Sequence, residues 1–154
     1  MMTGKKILVV EDDAIIKTLI SRALGSLGHS ITTAKNGKEA LAKAQESNYD
    51  MALLDIGLPD MLGTELLKKI RKINHEMVII MITGHPSQDS SIESINNDAD
   101  GYVVKPIRND DLISIVEKKL RQREEAKSLS NEKVSEYLKN KLSRLALENP
   151  NNKS

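Results

Sequence analysis

The residues able to do chemistry in this chain are acids, one lysine and one threonine, and each stands at the end of an apolar run. Glu11-Asp12-Asp13 follows Ile7-Leu8-Val9-Val10. Asp55 closes Met51-Ala52-Leu53-Leu54, Thr83 closes the run from Met77 to Ile82, and Lys105 follows Tyr102-Val103-Val104. A lone acid at a strand end most often caps the next element. Gathered in one place, these groups would do something else. Carboxylates sharing a pocket repel one another, and either protonation or a cation must relieve the strain. Magnesium suits such a set, because it takes oxygen ligands, keeps several waters and often uses one or two carboxylates together with phosphate oxygens. With no cysteine and three scattered histidines, a zinc site is poorly supported. A carboxylate beside a bound cation is a nucleophile towards phosphorus, as in aspartyl-phosphate enzymes. It needs no separate base, since carboxylates are ordinarily ionised at neutral pH. The Lys105 ammonium, the Thr83 hydroxyl and loop amides would neutralise the phosphoryl oxygens.

Gathering them is a task for the elements. Runs that are apolar at successive positions suit parallel strands covered on both faces. Between them lie helical patterns. Ile16, Leu19, Ile20, Ala23, Leu24 and Leu27 form the first, with Asp13 placed to cap it and Gly28 to stop it. Ser30 to Ala34 reads as a short β-branched strand and Asn36-Gly37 as a turn. Ala40, Leu41 and Ala44 mark a second helix, Leu66, Leu67, Ile70 and Ile73 a third. Ile92 and Ile95 mark a weaker fourth. Leu112, Ile113, Val116 and Leu120 mark a fifth that Asn109 can cap. Strand and helix alternate five times, the signature of a parallel sheet with helices on both faces and right-handed crossovers. In such a sheet every carboxyl end lies on one edge, where open α/β sheets place their ligands. Groups scattered from Glu11 to Lys105 can therefore converge.

Composition narrows the alternatives. The chain has 154 residues, enough for one domain and an appendage, and a formal charge of +1 from 23 basic and 22 acidic residues. No global field favours nucleic acid or an anionic membrane. Apolar runs are too short for a signal peptide or a membrane span, and the absence of cysteine agrees with a reducing compartment, so a cytoplasmic protein is expected. From Gln122 the composition turns to charge and small polar residues. A break is expected near Ser128 to Asn131, followed by a separate helix carrying Val134, Leu138, Leu142 and Leu145, with Leu129 and Val134 as a hydrophobic staple. This extension, 122–154, is either a charged, partly frayed tail or a partner-binding helix. It shows no recognition-helix signature or basic block, so no direct nucleic-acid binding is expected of it.

Over roughly residues 4 to 121 the chain resembles the receiver domain of two-component response regulators. ILVVEDD, LLDIGLPDMLG, MITG and DGYVVKP occur in the family's order and spacing. The resemblance implies a flavodoxin-like, doubly wound, five-stranded parallel sheet of order 2-1-3-4-5 with five helices, here followed by a C-terminal helical extension. It makes Asp55 the phosphoacceptor, Asp12 a direct magnesium ligand, Glu11 a ligand through water and the Gly57 backbone carbonyl a further ligand. Thr83, Tyr102 and Lys105 then read the phosphoryl group, with Thr83 and Tyr102 as the switch. The Lys105-Pro106 bond is cis in the family. The implied partners are a sensor histidine kinase or histidine phosphotransfer protein and a downstream target, or a second copy, docking on the face of the fourth helix, fifth strand and fifth helix. The implied role is a phospho-accepting switch that promotes its own phosphotransfer and dephosphorylation rather than an enzyme. Glu11 stands where Asp is commoner, and Asp98-Ala99 where Gly-Ala usually precedes the last strand.

Two other classes share some of these features. A haloacid-dehalogenase-type hydrolase also uses a strand-end Asp, but wants a second Asp two residues on, where Gly57 stands. A receiver kept as an interaction module without phosphotransfer usually lacks an acid or the lysine, and here all are present. Among the remaining polar residues, Asp60 and Asp100 read as solvated loop acids and His29 and His75 as surface residues. His85 either overhangs the phosphoryl group or lies on the surface, and the methionines read as core or loop filler.

Overall fold

The computed structural model describes residues 3–84 and 98–148. Five strands form one sheet: β1 (Lys6–Val10), β2 (Ser30–Ala34), β3 (Met51–Asp55), β4 (Val78–Thr83) and β5 (Gly101–Val104). Their order is β2-β1-β3-β4-β5 and every pairing is parallel, so the expected 2-1-3-4-5 sheet is present. Four helices lie among the described residues: α1 (Ala14–Gly25), α2 (Gly37–Glu46), α3 (Gly63–Ile73) and α4 (Asn109–Glu148). The helix expected around Ile92 and Ile95 lies outside the described residues, as does His85.

Why these runs are strands is visible in where alternate side chains go. Leu8, Val10, Ala52, Leu54, Ile79 and Met81 pack on one face with Ala40 of α2 and Leu66, Leu67 and Ile70 of α3. Their neighbours Ile7, Val9, Leu53, Ile80 and Ile82 pack on the other, with Ile20 and Leu24 of α1 and Leu112, Val116 and Leu120 of α4. A strand whose two side-chain directions both meet helices must be apolar throughout, which is the pattern of β1, β3 and β4.

Local sequence sets the helix starts. Asp13 caps α1 by accepting from the amides of Ile15 and Ile16 at 2.9 and 3.2 Å. Asn36 caps α2 through the Glu39 amide, so Asn36-Gly37 is a helix start rather than the expected turn. The break expected near Ser128 to Asn131 is absent, and α4 is continuous from Asn109 to Glu148. Ser and Asn favour caps, yet with no Gly or Pro between Asn109 and Glu148 nothing forbids the helical backbone, and the flanking Glu, Lys, Ala and Leu propagate it.

The chain divides into two compact units, residues 1–120 and 121–154. In the second, the described residues are exposed almost throughout, Val134, Leu138, Leu142 and Leu145 included. No helix among the described residues is long and apolar enough to cross a membrane.

His29 is not the surface group expected, and Asp100, exposed as expected, is nonetheless held by protein donors. His29 is buried; its Nδ1 accepts from the Lys5 amide at 3.3 Å, and its Nε2 lies 3.9 Å from Glu117 Oε1. Asp100 accepts from the Ile79 amide at 2.8 Å and from Arg71 at 2.7 Å. Arg71 also donates to the backbone carbonyls of Asp98, His75 and Met77, tying α3 to the approaches to β4 and β5.

Candidate functional site

Each candidate side chain reaches the carboxyl edge because its strand stops there. Val10 pairs with Leu54, Asp55 with Ile82 and Thr83 with Val104, so Glu11, Asp55, Thr83 and Lys105 emerge at nearly one level. Glu11, Asp55 and Thr83 are buried, whereas Asp12 is exposed. Glu11, Asp12 and Asp55 each offer a carboxylate oxygen within 4.8 Å of the other two. These acids, Asp13, Gly57, Gly84 and Lys105 line an open cleft of about 400 Å³.

Lys105 is the cation that makes this cluster tolerable. Its Nζ lies 3.3 Å from Asp55 Oδ2, to which it donates, and 3.4 Å from Glu11 Oε2. Burial acts to lower the Lys105 pKa, but the Asp55 and Glu11 carboxylates outweigh it and hold the ammonium above its usual value. Glu11 carries the opposite strain. Burial first, and then the charge of Asp55, push it up to about 7 in spite of Lys105 and the Asp13 amide. The Asp13 amide donates to Glu11 Oε1 at 3.3 Å, while the buried Oε2 has Lys105 only as a charge neighbour and no hydrogen-bond partner. A buried carboxylate oxygen left over beside two other acids, with hard oxygen donors throughout, fits a magnesium ion and its waters.

The loop after Asp55 is built as tightly as the strand. Asp55 Oδ1 accepts from the Gly57 amide at 3.1 Å. The Ile56 amide reaches the Ile82 carbonyl, the Gly63 amide returns to the Ile56 carbonyl at 2.8 Å, and Gly57 and Leu62 form an antiparallel bridge. A Cβ at Gly63 would lie 2.3 Å from the Asp55 carbonyl oxygen, so the close return of the chain requires glycine there.

Asp60 is exposed, as expected of a solvated loop acid, and also bonds the start of α2: Gly37 N donates to its Oδ1 at 2.8 Å and Lys38 N to its Oδ2 at 2.9 Å. Those two bonds hold its carboxyl below the usual range. Nothing in the local sequence signals this, since the donors are 22 and 23 residues away.

Of the expected site residues, Glu11, Asp12, Asp55, Gly57 and Lys105 share one cleft. Thr83 is buried at the end of β4, where its carbonyl accepts from the Lys105 amide at 2.8 Å. Tyr102 stands apart from the cleft, exposed on β5 in a groove with Val104, Ser114 and Lys118. Asp13 works as the expected cap. Gly84 joins the cleft without having been singled out, and it backs the Lys105 stem, since a Cβ there would lie 3.9 Å from Lys105 Cδ. The Lys105-Pro106 bond is cis.

Comparison with known proteins agrees with this geometry. The two-component response regulator PhoP of Pseudomonas aeruginosa is 34% identical over 107 residues, covering 70% of this chain and 48% of that protein. The DNA-binding transcriptional regulator NtrC of Salmonella typhimurium is 32% identical over 127 residues, covering 82% of this chain and 27% of that one. The chain thus spans half or less of the length of these curated relatives. The crystal structure of a CheY-like response regulator receiver domain protein from Methanospirillum hungatei is 39% identical, with a TM-score of 0.75 over 80% of this chain and 99% of that one. NtrX from Brucella abortus is 30% identical, with a TM-score of 0.78 over 84% of this chain and 29% of that one. Residues 7–117 match the response regulator receiver domain, and the chain belongs to that family.

Proposed function

We propose that this receiver accepts a phosphoryl group on Asp55 from a histidine kinase, or from a histidine phosphotransfer protein, in a magnesium-dependent reaction, and that phosphorylation changes its affinity for a partner. The observation that carries the reading is the Lys105 ammonium set between Asp55 and Glu11, with Asp12 completing a three-carboxylate cluster at an open cleft.

In this reading an Asp55 carboxylate oxygen attacks the phosphorus of a phosphohistidine. The new O–P bond forms as the N–P bond breaks, and the electron pair leaves on the imidazole. Asp12, Asp55 and the Gly57 carbonyl would hold magnesium, with Glu11 holding one of its waters. When bound, the ion neutralises charge on the phosphoryl oxygens. Lys105 moves from its carboxylate pair to a phosphoryl oxygen, and the Gly57 amide, already on Asp55 Oδ1, keeps the nucleophile oriented. Thr83 follows the phosphoryl group, and Tyr102, outward on β5, turns with it, remodelling the face made by β5 and α4. The chain is then a signalling switch that catalyses its own phosphorylation and dephosphorylation, and its place is the cytoplasm. NtrC is a DNA-binding transcriptional regulator, and this chain covers 27% of it. In this reading the chain shares the phosphoacceptor role with these relatives, and its output is through protein contact.

Mass spectrometry after acetyl phosphate and magnesium tests this. The wild-type chain should gain one hydroxylamine-labile phosphoryl group, and Asp55→Asn should gain none. Full labelling of Asp55→Asn would refute the assignment, and no labelling of the wild type would favour an interaction module without phosphotransfer.

A further inference from the structure

The loop that carries Gly57 is seated from three sides. Leu58 is buried and Met61 partly buried against the core shared by β1, β3 and α3. At its exposed tip, Asp60 takes the Gly37 and Lys38 amides of α2 at 2.8 and 2.9 Å. Met61 lies over Gly37 so closely that a Cβ there would fall 2.5 Å from its sulfur, and glycine lets the loop settle on the helix start. A helix leaves its first amides without internal acceptors. Asn36, the residue before α2, serves the Glu39 amide and leaves the Gly37 and Lys38 amides to Asp60. The loop, closed on itself by the Gly57–Leu62 bridge, has in Asp60 its polar attachment to another element.

We propose that Asp60 is a positioning residue of the phosphoacceptor site: by clamping the β3–α3 loop to the N-terminus of α2 it keeps the Gly57 amide and carbonyl in place beside Asp55. The inference rests on the reading of Asp55 as phosphoacceptor. Asp60 touches neither the phosphoryl group nor the metal, and acts through the backbone of Gly57. Removing the clamp leaves the loop's apolar anchors in place but frees its tip, so Gly57 pivots relative to Asp55 Oδ1.

The test compares Asp60→Ala, Asp60→Asn and Asn36→Ala in the full chain. Asn36→Ala removes a cap from the same helix without touching the loop. Asp60→Ala should speed amide exchange at Gly57 and Gly63 in magnesium-free protein. It should also weaken magnesium binding, followed by NMR titration, about tenfold, the low end for outer partners of a metal site. Asp60→Asn, whose amide oxygen can still accept one N–H, should fall between it and the wild type. Asn36→Ala should lower the melting temperature while leaving Gly57 exchange and magnesium affinity at wild-type values. Matching profiles for Asp60→Ala and Asn36→Ala, or unchanged Gly57 exchange in Asp60→Ala, would overturn the proposal. A wild type that cannot be phosphorylated would remove the phosphoacceptor reading, while the exchange data would still decide whether Asp60 holds the loop.

Discussion

At the carboxyl edge of the sheet, charged and polar groups are buried beside a lysine far away in sequence; along residues 121–148 of α4, apolar groups are exposed. Glu11, Asp55 and Thr83 are buried at the first, whereas Val134, Leu138, Leu142 and Leu145 are exposed in the second. The two regions invert the usual placement for different reasons. Burial of acids is tolerated where a lysine and backbone amides answer them, and such strain concentrates at working sites. Exposure of leucines is tolerated because a long helix satisfies its own backbone, so that intrinsic propensity alone decides its conformation. The first region should respond sharply to single substitutions and the second hardly at all.

The largest effect is expected where backbone meets backbone. Gly63→Val should cost more than about 4 kcal/mol, because a Cβ at that position lies 2.3 Å from the Asp55 carbonyl and neither chain segment can yield without moving the other. Denaturant unfolding should show a fall in midpoint, and the soluble fraction should label poorly at Asp55. A near-neutral result would mean that the loop after β3 is far softer than its hydrogen bonds imply. Next comes a matched pair of leucines. Leu54→Ala in β3, fully buried between helix layers, should cost about 2–5 kcal/mol. Leu138→Ala, half exposed, should change stability by no more than about 0.5 kcal/mol. Comparable losses would break the contrast.

A third, smaller effect depends on pH. Glu11 has a carboxyl raised to about 7 by burial and by Asp55. The folded protein therefore holds a proton that the unfolded chain releases near pH 4.5, and stability should fall as pH rises from there through 7. Without magnesium the loss is on the order of 3 kcal/mol by pH 8, and Glu11→Gln should flatten it. Lys105, raised from an already high value, keeps its charge across this window. Added magnesium should stabilise the wild type more at pH 8 than at pH 5, since the ion competes with the proton for the same carboxylates. A flat profile for the wild type would show that Lys105 and Asp13 suffice to hold Glu11 ionised.

How far sequence alone reaches follows the same division. Patterns set by a residue's own strand or helix were readable: both-sided burial of β1, β3 and β4, the Asp13 cap, and the convergence of Glu11, Asp12, Asp55 and Lys105 that parallel topology forces. Bonds to remote partners were not readable, and of Asp60, Asp100 and His29 only His29 is buried rather than exposed. Asp60 meets α2, Asp100 meets Arg71 and the Ile79 amide, and His29 is buried beside Glu117, each contact spanning more than 20 residues with no local signature. In α4 the error ran the other way. Ser128, Ser130 and Asn131 carry a cap signature, but a cap residue permits a break without compelling one.

The smallest effect is expected from the α4 stripe, and it tests the contrast most directly. Val134, Leu138, Leu142 and Leu145 recur at intervals of four and three, which puts them on one helix face, yet each is more than half exposed. Arg123 and Glu124 approach to 3.9 Å as sequence neighbours, and Glu132 and Glu136 stand at like-charged i,i+4 positions. A helical segment without tertiary cover is marginal in water, so residues 121–148 should exchange amide protons orders of magnitude faster than β1, β3 and β4. Replacing Leu138 and Leu142 together with Glu removes apolar area that is already largely in water. The double variant should lower helical circular dichroism slightly and leave the unfolding midpoint of residues 1–120 within about 0.5 kcal/mol of the wild type. A loss above about 1 kcal/mol, or a drop in sedimentation coefficient at equal concentration, would mean that the stripe is covered in solution. The two regions would then differ in what covers them, a lysine and backbone amides in one and a protein surface in the other, rather than in whether anything does.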